Sequence, residues 1–403
     1  MNRLLDRILK SFISAGQLSV TWADGSQSVY KGAVSGPSAG MALSNHQIEA
    51  ALALNPGLAF GEGYMDGAIT PLGCSLYQLL DLLMLNSMSP GHLPAQIAEG
   101  FRYVCRKWIQ FNPVKRSRRN VAHHYDLDSR LYQLFLDKDR QYSCAYFRRG
   151  DETLDEAQEA KKHHIASKLL LNRPGLEVLD IGCGWGGMAL TLARDYGAIV
   201  TGITLSQEQL DVARQRALDE GLQGQVRFEM LDYRNLQCRF DRIVSVGMFE
   251  HVGVSHYEQF FETVKNSLKD DGIALIHSIG RNDRPGTTNP WLDKYIFPGG
   301  YSPALSEVFT AVEKSGLWVT DCEILRLHYA KTIAVWRERF AANRAKAVAL
   351  YDERFARMFE FYLDAAELSF RVQGHMNFQI QLSRGIDTVP LTRDYMSEAE
   401  PKK

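Results

Sequence analysis

Val178-Leu-Asp-Ile-Gly-Cys-Gly-Trp-Gly-Gly187 is the stretch that decides the fold. Its first half is a short apolar run that reads as a buried strand ending at Asp180-Ile181. Gly182, Gly184 and Gly186 follow at alternate positions, where they let the backbone turn and come close to a ligand before a helix begins. Glycines alone do not choose the ligand, because dinucleotide enzymes use a related G-x-G-x-x-G turn. The order here is D-x-G-x-G-x-G, with an acid ahead of the first glycine. A tight turn holding nothing is the bland alternative, and the sequence downstream weighs against it.

From residue 170 onward, strand candidates at 177–181, 198–203, 226–230, 241–246, 273–278, 317–324 and 375–382 are mostly separated by helical stretches. That alternation predicts a parallel sheet wound on both faces. Asn377-Phe-Gln-Ile-Gln-Leu382 follows a long helical region directly, so it is expected to insert antiparallel as the seventh strand. After the second strand, Thr201-Gly-Ile-Thr-Leu-Ser-Gln-Glu-Gln209 offers Thr204, Ser206 and Gln209 where nicotinamide enzymes place a ribose-binding acid. After the third, Asp232 is suited to accept from an adenine amine and Tyr233 to pack on the ring, although such a pair in a turn is more often structural. Asp180 either orients the glycine turn or meets an ammonium group. Together these features point to S-adenosylmethionine. They give an α/β fold, a class I methyltransferase Rossmann-like seven-stranded sheet with extra helices.

Upstream, residues 17–43 alternate in short runs broken by Asp24-Gly25 and read as a hairpin, with helices expected at 45–54 and 75–86. The reading is a smaller N-terminal α+β domain over 1–112 and a catalytic domain over 113–403, cut near the basic stretch Lys115-Arg-Ser-Arg-Arg119. At 403 residues the chain is long enough for two cores. Lys+Arg of 46 against Asp+Glu of 47 gives net charge no say about partners, and no concentrated basic domain argues for nucleic acid. No run is apolar enough to span a bilayer, and Asp6, Arg7 and Lys10 interrupt what would be a signal-peptide core. Leu4, Leu5, Ile8, Leu9, Phe12 and Ile13 recur instead at helical spacing, as in a docked helix. Cys74, Cys105, Cys144, Cys183, Cys238 and Cys322 are scattered and form no CxxC pair, which reads as reduced thiols in the cytoplasm. His123-His124 and His163-His164 lack ligand spacing with cysteines, so no metal site is expected.

Asp180 to Gly187, Thr204-Leu-Ser-x-x-Gln209 and Gly247-Met-Phe-Glu-His251 resemble the family of cyclopropane-fatty-acyl-phospholipid and mycolic acid cyclopropane synthases. His124-Tyr-Asp-Leu127 and Gln141-Tyr-Ser-Cys-Ala-Tyr-Phe147 extend the resemblance upstream. Leu275-Ile-His-Ser-Ile-Gly280, His328-Tyr-Ala-Lys-Thr332 and Trp336-x-x-Arg339-Phe340 extend it downstream. It covers roughly residues 120 to 388. Phe60-Gly-Glu-Gly-Tyr-Met-Asp-Gly67 resembles the N-terminal extension of the phospholipid-acting branch, while residues 1–55 match least. The resemblance adds Tyr142, Ser143 and Leu205 to the cofactor set. It also implies a bicarbonate ion held by Cys144, Glu250, His277, Tyr329 and the backbone amide of Ile279. Taken singly, each of these is better read as a packed core residue.

The implied chemistry makes sense of that set. An alkene that attacks a sulfonium methyl becomes a carbocation, which water must not reach and aromatic faces can stabilise. Tyr142, Tyr146, Phe147, Phe249, Trp291, Tyr295, Phe297 and Tyr301 are candidate faces, with core packing expected for at least half. The Pro- and Gly-rich stretch 281–303 reads as a wall of the acyl channel. Ring closure then needs a base for a methyl proton; His277, Tyr329 and an amide can donate to a bound anion while Glu250 accepts from its hydroxyl. Cys144 as a covalent nucleophile is disfavoured, since methyl transfer needs no adduct. The resemblance implies a partner in the phospholipid bilayer surface, with peripheral attachment at the inner face, and leaves a homodimer open. Arg337, Arg339, Arg344, Lys346, Arg354 and Arg357, read first as a solvated face, could also meet anionic headgroups. Two alternatives stand beside cyclopropanation: an olefin methyltransferase giving methylene- or methyl-branched chains, and a non-catalytic lipid-binding protein.

Overall fold

The computed structural model describes residues 1–87 and 128–399. The cut after residue 112, the basic stretch Lys115–Arg119, Cys105, and the motifs at 123–127 fall outside the described residues. The chain divides into two compact units, and the first is assembled from distant pieces: Met1–Cys105, Thr287–Pro298 and Ile333–Gly374. The reason lies in apolar matching. Phe361, on the helix Glu353–Val372, packs against Phe60 at 6.0 Å, Tyr64 at 6.3 Å and Trp291 at 4.5 Å between ring centroids.

In the first unit, β1 (Ala15–Thr21) and β2 (Gln27–Lys31) form the expected hairpin. β3 (Val34–Leu43) lies parallel to β1, and β4 (Ile69–Pro71) closes the order β2-β1-β3-β4. The N-terminal helix Arg3–Phe12 is capped by the Asn2 side chain and buries Leu5 and Leu9, while Leu4 stays exposed. The helices His46–Leu54 and Leu76–Ser87 form where expected. Trp291 is buried in this unit, so it belongs to a core and is not a free aromatic face. The arginines offered to headgroups are largely engaged within the unit. Arg337 pairs with Glu367 at 3.0 Å, Arg344 with Glu360 at 2.7 Å, Arg354 with Asp66 at 2.7 Å and Arg357 with Glu353 at 3.3 Å. They are therefore not a reserve of unpaired charge.

The second unit holds a sheet of β5 (Glu177–Ile181), β6 (Ile199–Thr204), β7 (Val226–Met230), β8 (Phe240–Val246), β9 (Leu268–Arg281), β10 (Trp318–Leu325) and β11 (His375–Ser383). Its order is β10-β11-β9-β8-β5-β6-β7. β5 to β9 run parallel, and β11 slots antiparallel between β9 and β10, as its sequence position predicted. The register sets Gln379 opposite His277 and Asn377 opposite Ile279. β11 alternates polar and apolar residues, yet Asn377, Gln379 and Gln381 are all buried. Gln379 and Gln381 are tolerated there because their amides find hydrogen bonds, while Asn377 keeps an unpartnered Oδ1 beside His277. The helix Leu154–Lys168 opens with a full capping box between Thr153 and Glu156.

Candidate active site

A cavity opens where β5, β6, β7 and β8 end, the usual ligand position in an open α/β sheet. Of the residues expected to meet the cofactor, Tyr142, Ser143, Asp180, Gly182, Gly184, Thr204, Leu205, Gln209, Asp232 and Tyr233 line it. Gly186 and Ser206 support it from behind. The three glycines do different work. Gly182 and Gly186 have positive φ, and a Cβ there would meet Met248 at 2.8 Å and Phe228 at 2.7 Å. At Gly184, also at positive φ, a Cβ would enter open cavity. Two of the glycines thus serve protein packing, and the middle one keeps ligand space clear.

Asp180 is buried, its Oδ2 has no partner, and burial lifts its carboxyl to about 7 against the pull of Lys161. A buried, unpartnered acid in the wall of a cavity suits a cationic ligand group. Ser206 caps the helix Gln207–Asp219, accepting from the Gln209 amide at 3.3 Å. Thr204 donates through its hydroxyl to Gln209 Oε1 at 2.9 Å, which orients the Gln209 amide. Asp232 binds Arg234 through both oxygens, at 2.8 and 2.7 Å, and Tyr233 packs edge-on to Phe260. Tyr142 sits edge-on to Tyr132 and Phe135. Trp185 also lines the cavity, with a buried Nε1 that lacks a partner.

Of the second expected set, Glu250 and Ile279 are in direct contact: the Ile279 amide donates to Glu250 Oε1 at 2.6 Å. That amide is therefore engaged by the carboxylate. Glu250 Oε2 is buried without a partner, and burial raises this carboxyl to about 7. His277 is fully buried and drawn down to about 3, so it is neutral at working pH. Its tautomer follows from its neighbours. Lys168 Nζ donates to Gln379 Oε1 at 2.8 Å, which leaves Gln379 Nε2 to donate to His277 Nδ1 at 3.1 Å. Nδ1 must then be the bare nitrogen, and the proton resides on Nε2. The Asn377 side-chain amide lies 3.4 Å from that Nε2 through Nδ2; with the amide turned over, its unpartnered Oδ1 accepts the Nε2 proton. Cys144 is buried, and burial pushes its thiol well above the ordinary range, which suits a neutral contact and not a nucleophile. Tyr329 is buried on the first turn of the helix His328–Ala342. That turn meets the strip after Cys144, with the Ala145 amide donating to Thr332 and the Phe147 amide to His328 Nδ1, both at 3.0 Å.

Of the candidate aromatic faces, Tyr146 stacks between His164 and His328, and Phe249 stacks on Tyr257 in the core. Glu159, His163 and Asp195 come within reach of a shared ion, but Lys162 already meets Glu159 and Arg194 meets Asp195, each at 2.8 Å.

The family model for mycolic acid cyclopropane synthetase matches residues 113–380. The cyclopropane-fatty-acyl-phospholipid synthase of Escherichia coli K12 is 38% identical over 330 residues, covering 82% of this chain and 84% of that protein. The chain belongs to the mycolic acid cyclopropane synthetase family. A probable fatty acid methyltransferase of Pseudomonas putida is 42% identical over 288 residues, 68% of this chain and 73% of its own. Mycolic acid cyclopropane synthase CmaA1, solved with SAH and CTAB, superposes with a TM-score of 0.63 at 33% identity, over 68% of this chain and 99% of its own. Like other members of the cyclopropane synthetase family, the chain is an S-adenosylmethionine-dependent methyltransferase. The orphaned Asp180 oxygen and the open space at Gly184 fit that cofactor.

Two outcomes are expected. Gly184→Val should lose cofactor affinity by calorimetry and also some stability, because it strains a positive-φ position, whereas Gly186→Ala should lower the thermal midpoint further by crowding Phe228 as well. Unimpaired binding by a folded Gly184→Val protein contradicts the assignment. Gln379→Glu should reverse the His277 tautomer, since a carboxylate accepts where the amide donated. Nitrogen NMR of histidine-labelled protein reads this directly, and an unchanged Nε2 proton removes Gln379 from control.

Proposed function

We propose that the chain converts a cis double bond in a phospholipid acyl chain to a cyclopropane, with bicarbonate as the base. When bound, S-adenosylmethionine supplies the one-carbon unit as an electrophilic methyl group. Tyr142, Ser143, Asp180, Thr204, Leu205, Gln209, Asp232 and Tyr233 would hold it. The residues' own tasks are to keep water from the cationic acyl chain and to move one proton from the transferred carbon, whose C–H pair closes the ring. A bicarbonate beside Glu250 is suited to take that proton. Glu250 Oε2 would accept from its hydroxyl, and His277 Nε2–H, Tyr329 and Cys144 would donate to its oxygens, with Ile279 orienting Glu250. The carrying observation is the buried, unpartnered Glu250 Oε2, aligned by an amide and raised in acidity range by burial alone. The name of the Escherichia coli relative supports phospholipid acyl chains as the substrate. That of the Pseudomonas relative keeps a methyl-branched product as the second reading, and mass spectrometry of product lipids separates the two.

The pH dependence has a definite sign. Glu250 must be ionised to accept a proton, and its carboxyl stands at about 7. Turnover at saturating cofactor should therefore fall roughly tenfold per pH unit below that value. Stability runs the other way. A carboxyl raised by folding contributes fully below its ordinary value near 4.5 and loses that contribution as pH rises through about 7. Glu250→Gln should abolish turnover while raising the thermal midpoint at pH 8. Turnover that is unaffected by thorough bicarbonate depletion, with Glu250→Gln near wild type, would show that the proton leaves by another route.

The same reading has the enzyme working at a bilayer surface, and no described helix is long and apolar enough to cross one. With Arg337, Arg344, Arg354 and Arg357 in ion pairs, the main attraction to anionic lipid is assigned to the basic run Lys115, Arg116, Arg118 and Arg119, and a lesser share to Lys346, a cation that meets a neutral Asn343. Liposome co-sedimentation should rise with anionic lipid, fall with salt, and drop when the four residues of the basic run are neutralised. Indifference to all three refutes the electrostatic part.

A further inference from the structure

The helix Leu154–Lys168 buries Lys161, Lys162 and Lys168. Lys162 meets Asp139 and Glu159, each at 2.8 Å, and Lys168 meets Glu323. Lys161 differs. It is fully buried, yet its hydrogen bonds go to neutral oxygens, Gln141 Oε1 and Ser143 Oγ, the latter at 2.8 Å. Among the described residues no carboxylate oxygen reaches it within ion-pair distance. Asp137, Asp139, Lys162, Cys144, Asp180 and His277 feel its charge at longer range, and burial draws its ammonium down to about 8. A buried ammonium without a direct counter-charge is costly, and such a group ordinarily has an anionic partner.

Gln141 and Ser143, whose oxygens Lys161 holds, both line the cavity. The strip from Gln141 to Ser143 is fixed from the same helix by Gln158, whose Nε2 donates to the Ser143 carbonyl at 2.9 Å. Gln141 is fully oriented: its Nε2 donates to Asp139 at 3.0 Å while its Oε1 accepts from Lys161. Ser143 Oγ accepts from Lys161, so its own proton must leave in another direction. A cation behind a hydroxyl makes that hydroxyl a stronger donor and biases this end of the cavity toward an anion. With Asp180 suited to an ammonium and Asp232 and Tyr233 to the nucleoside, the anionic group left on the cofactor is its carboxylate.

We propose that Lys161 is a positioning residue that supplies the counter-charge for the carboxylate of the cofactor's amino-acid end, acting through the Ser143 hydroxyl. This rests on the cavity being the S-adenosylmethionine site. The test compares calorimetric binding of S-adenosylhomocysteine with that of its decarboxylated analogue, which keeps the ammonium and loses only the anion. Wild type should prefer S-adenosylhomocysteine. Lys161→Met should lose about tenfold in affinity for it and less than about twofold for the analogue. Ser143→Ala should behave alike, and the double variant should be no worse than either single one. Thermal unfolding checks that Lys161→Met folds, and Ser143→Ala carries the test if it does not. Equal losses for both ligands mean a merely structural lysine and overturn the proposal, as does no loss for either. A loss seen only when bicarbonate is present assigns the charge to that ion and also overturns it. Failure of wild type to bind either ligand overturns the cavity assignment itself, and the proposal with it.

Discussion

Burying an ammonium group is among the more expensive things a fold can do, and the helix Leu154–Lys168 does it repeatedly. Each lysine must be met by oxygens brought from elsewhere, and those oxygens belong to the working parts of the second unit. Lys162 draws in Asp139, which also binds Arg216, and Arg216 donates to the Trp185 carbonyl at the glycine turn at 2.9 Å. Lys168 fixes Gln379 and through it the ring of His277. Lys161 fixes the strip ahead of Cys144. One helix thereby sets the glycine turn, the ring of His277 and the strip between them. A network so connected is either fully satisfied or seriously destabilised, which makes it specific.

The parallel strands are legible because most are short apolar runs bounded by turn residues, while the edge strand β7 alternates and buries only Val226 and Phe228. β11 was found for its position, but its environment was not. Alternation in Asn377, Gln379 and Gln381 ordinarily signals one solvated face, whereas here the polar face is buried against Lys168, His277 and Tyr395. Local sequence reports the period of a strand, not what covers it. The same gap hid Lys161 and Gln158. A lysine in a charged helical run reads as surface, and only the tertiary fold turns its face inward. The make-up of the first unit is hidden for a related reason, since nothing local in 333–372 says that Phe361 will seek Phe60 and Trp291.

Within the site, sequence spacing located residues that line the cavity better than it described what each of them touches. Thr204, Ser206 and Gln209 looked like equivalent polar groups, but the structure orders them: a cap, a support and an oriented amide. The glycines likewise separate, into two that adjoin packed side chains and one that faces open cavity, only once their neighbours are known. Glu250 and Ile279 lie far apart in sequence and could not be paired from it. Their contact follows from β8 and β9 running side by side, which sets the end of one strand beside the loop after the other.

The late position of β11 has a consequence for how the protein is made. On the ribosome β9 and β10 emerge well before the strand that joins them, so the sheet stays split until His375–Ser383 is released. Until then β10 has no hydrogen-bonded neighbour, and His277 lacks the amide that holds its ring. Edges left open in this way invite pairing with other chains. The amide side chains of Asn377, Gln379 and Gln381 on β11 are costly to bury without hydrogen-bond partners, which makes it a poor match for anything but its own slot, so the segment that completes the sheet also resists joining the wrong one.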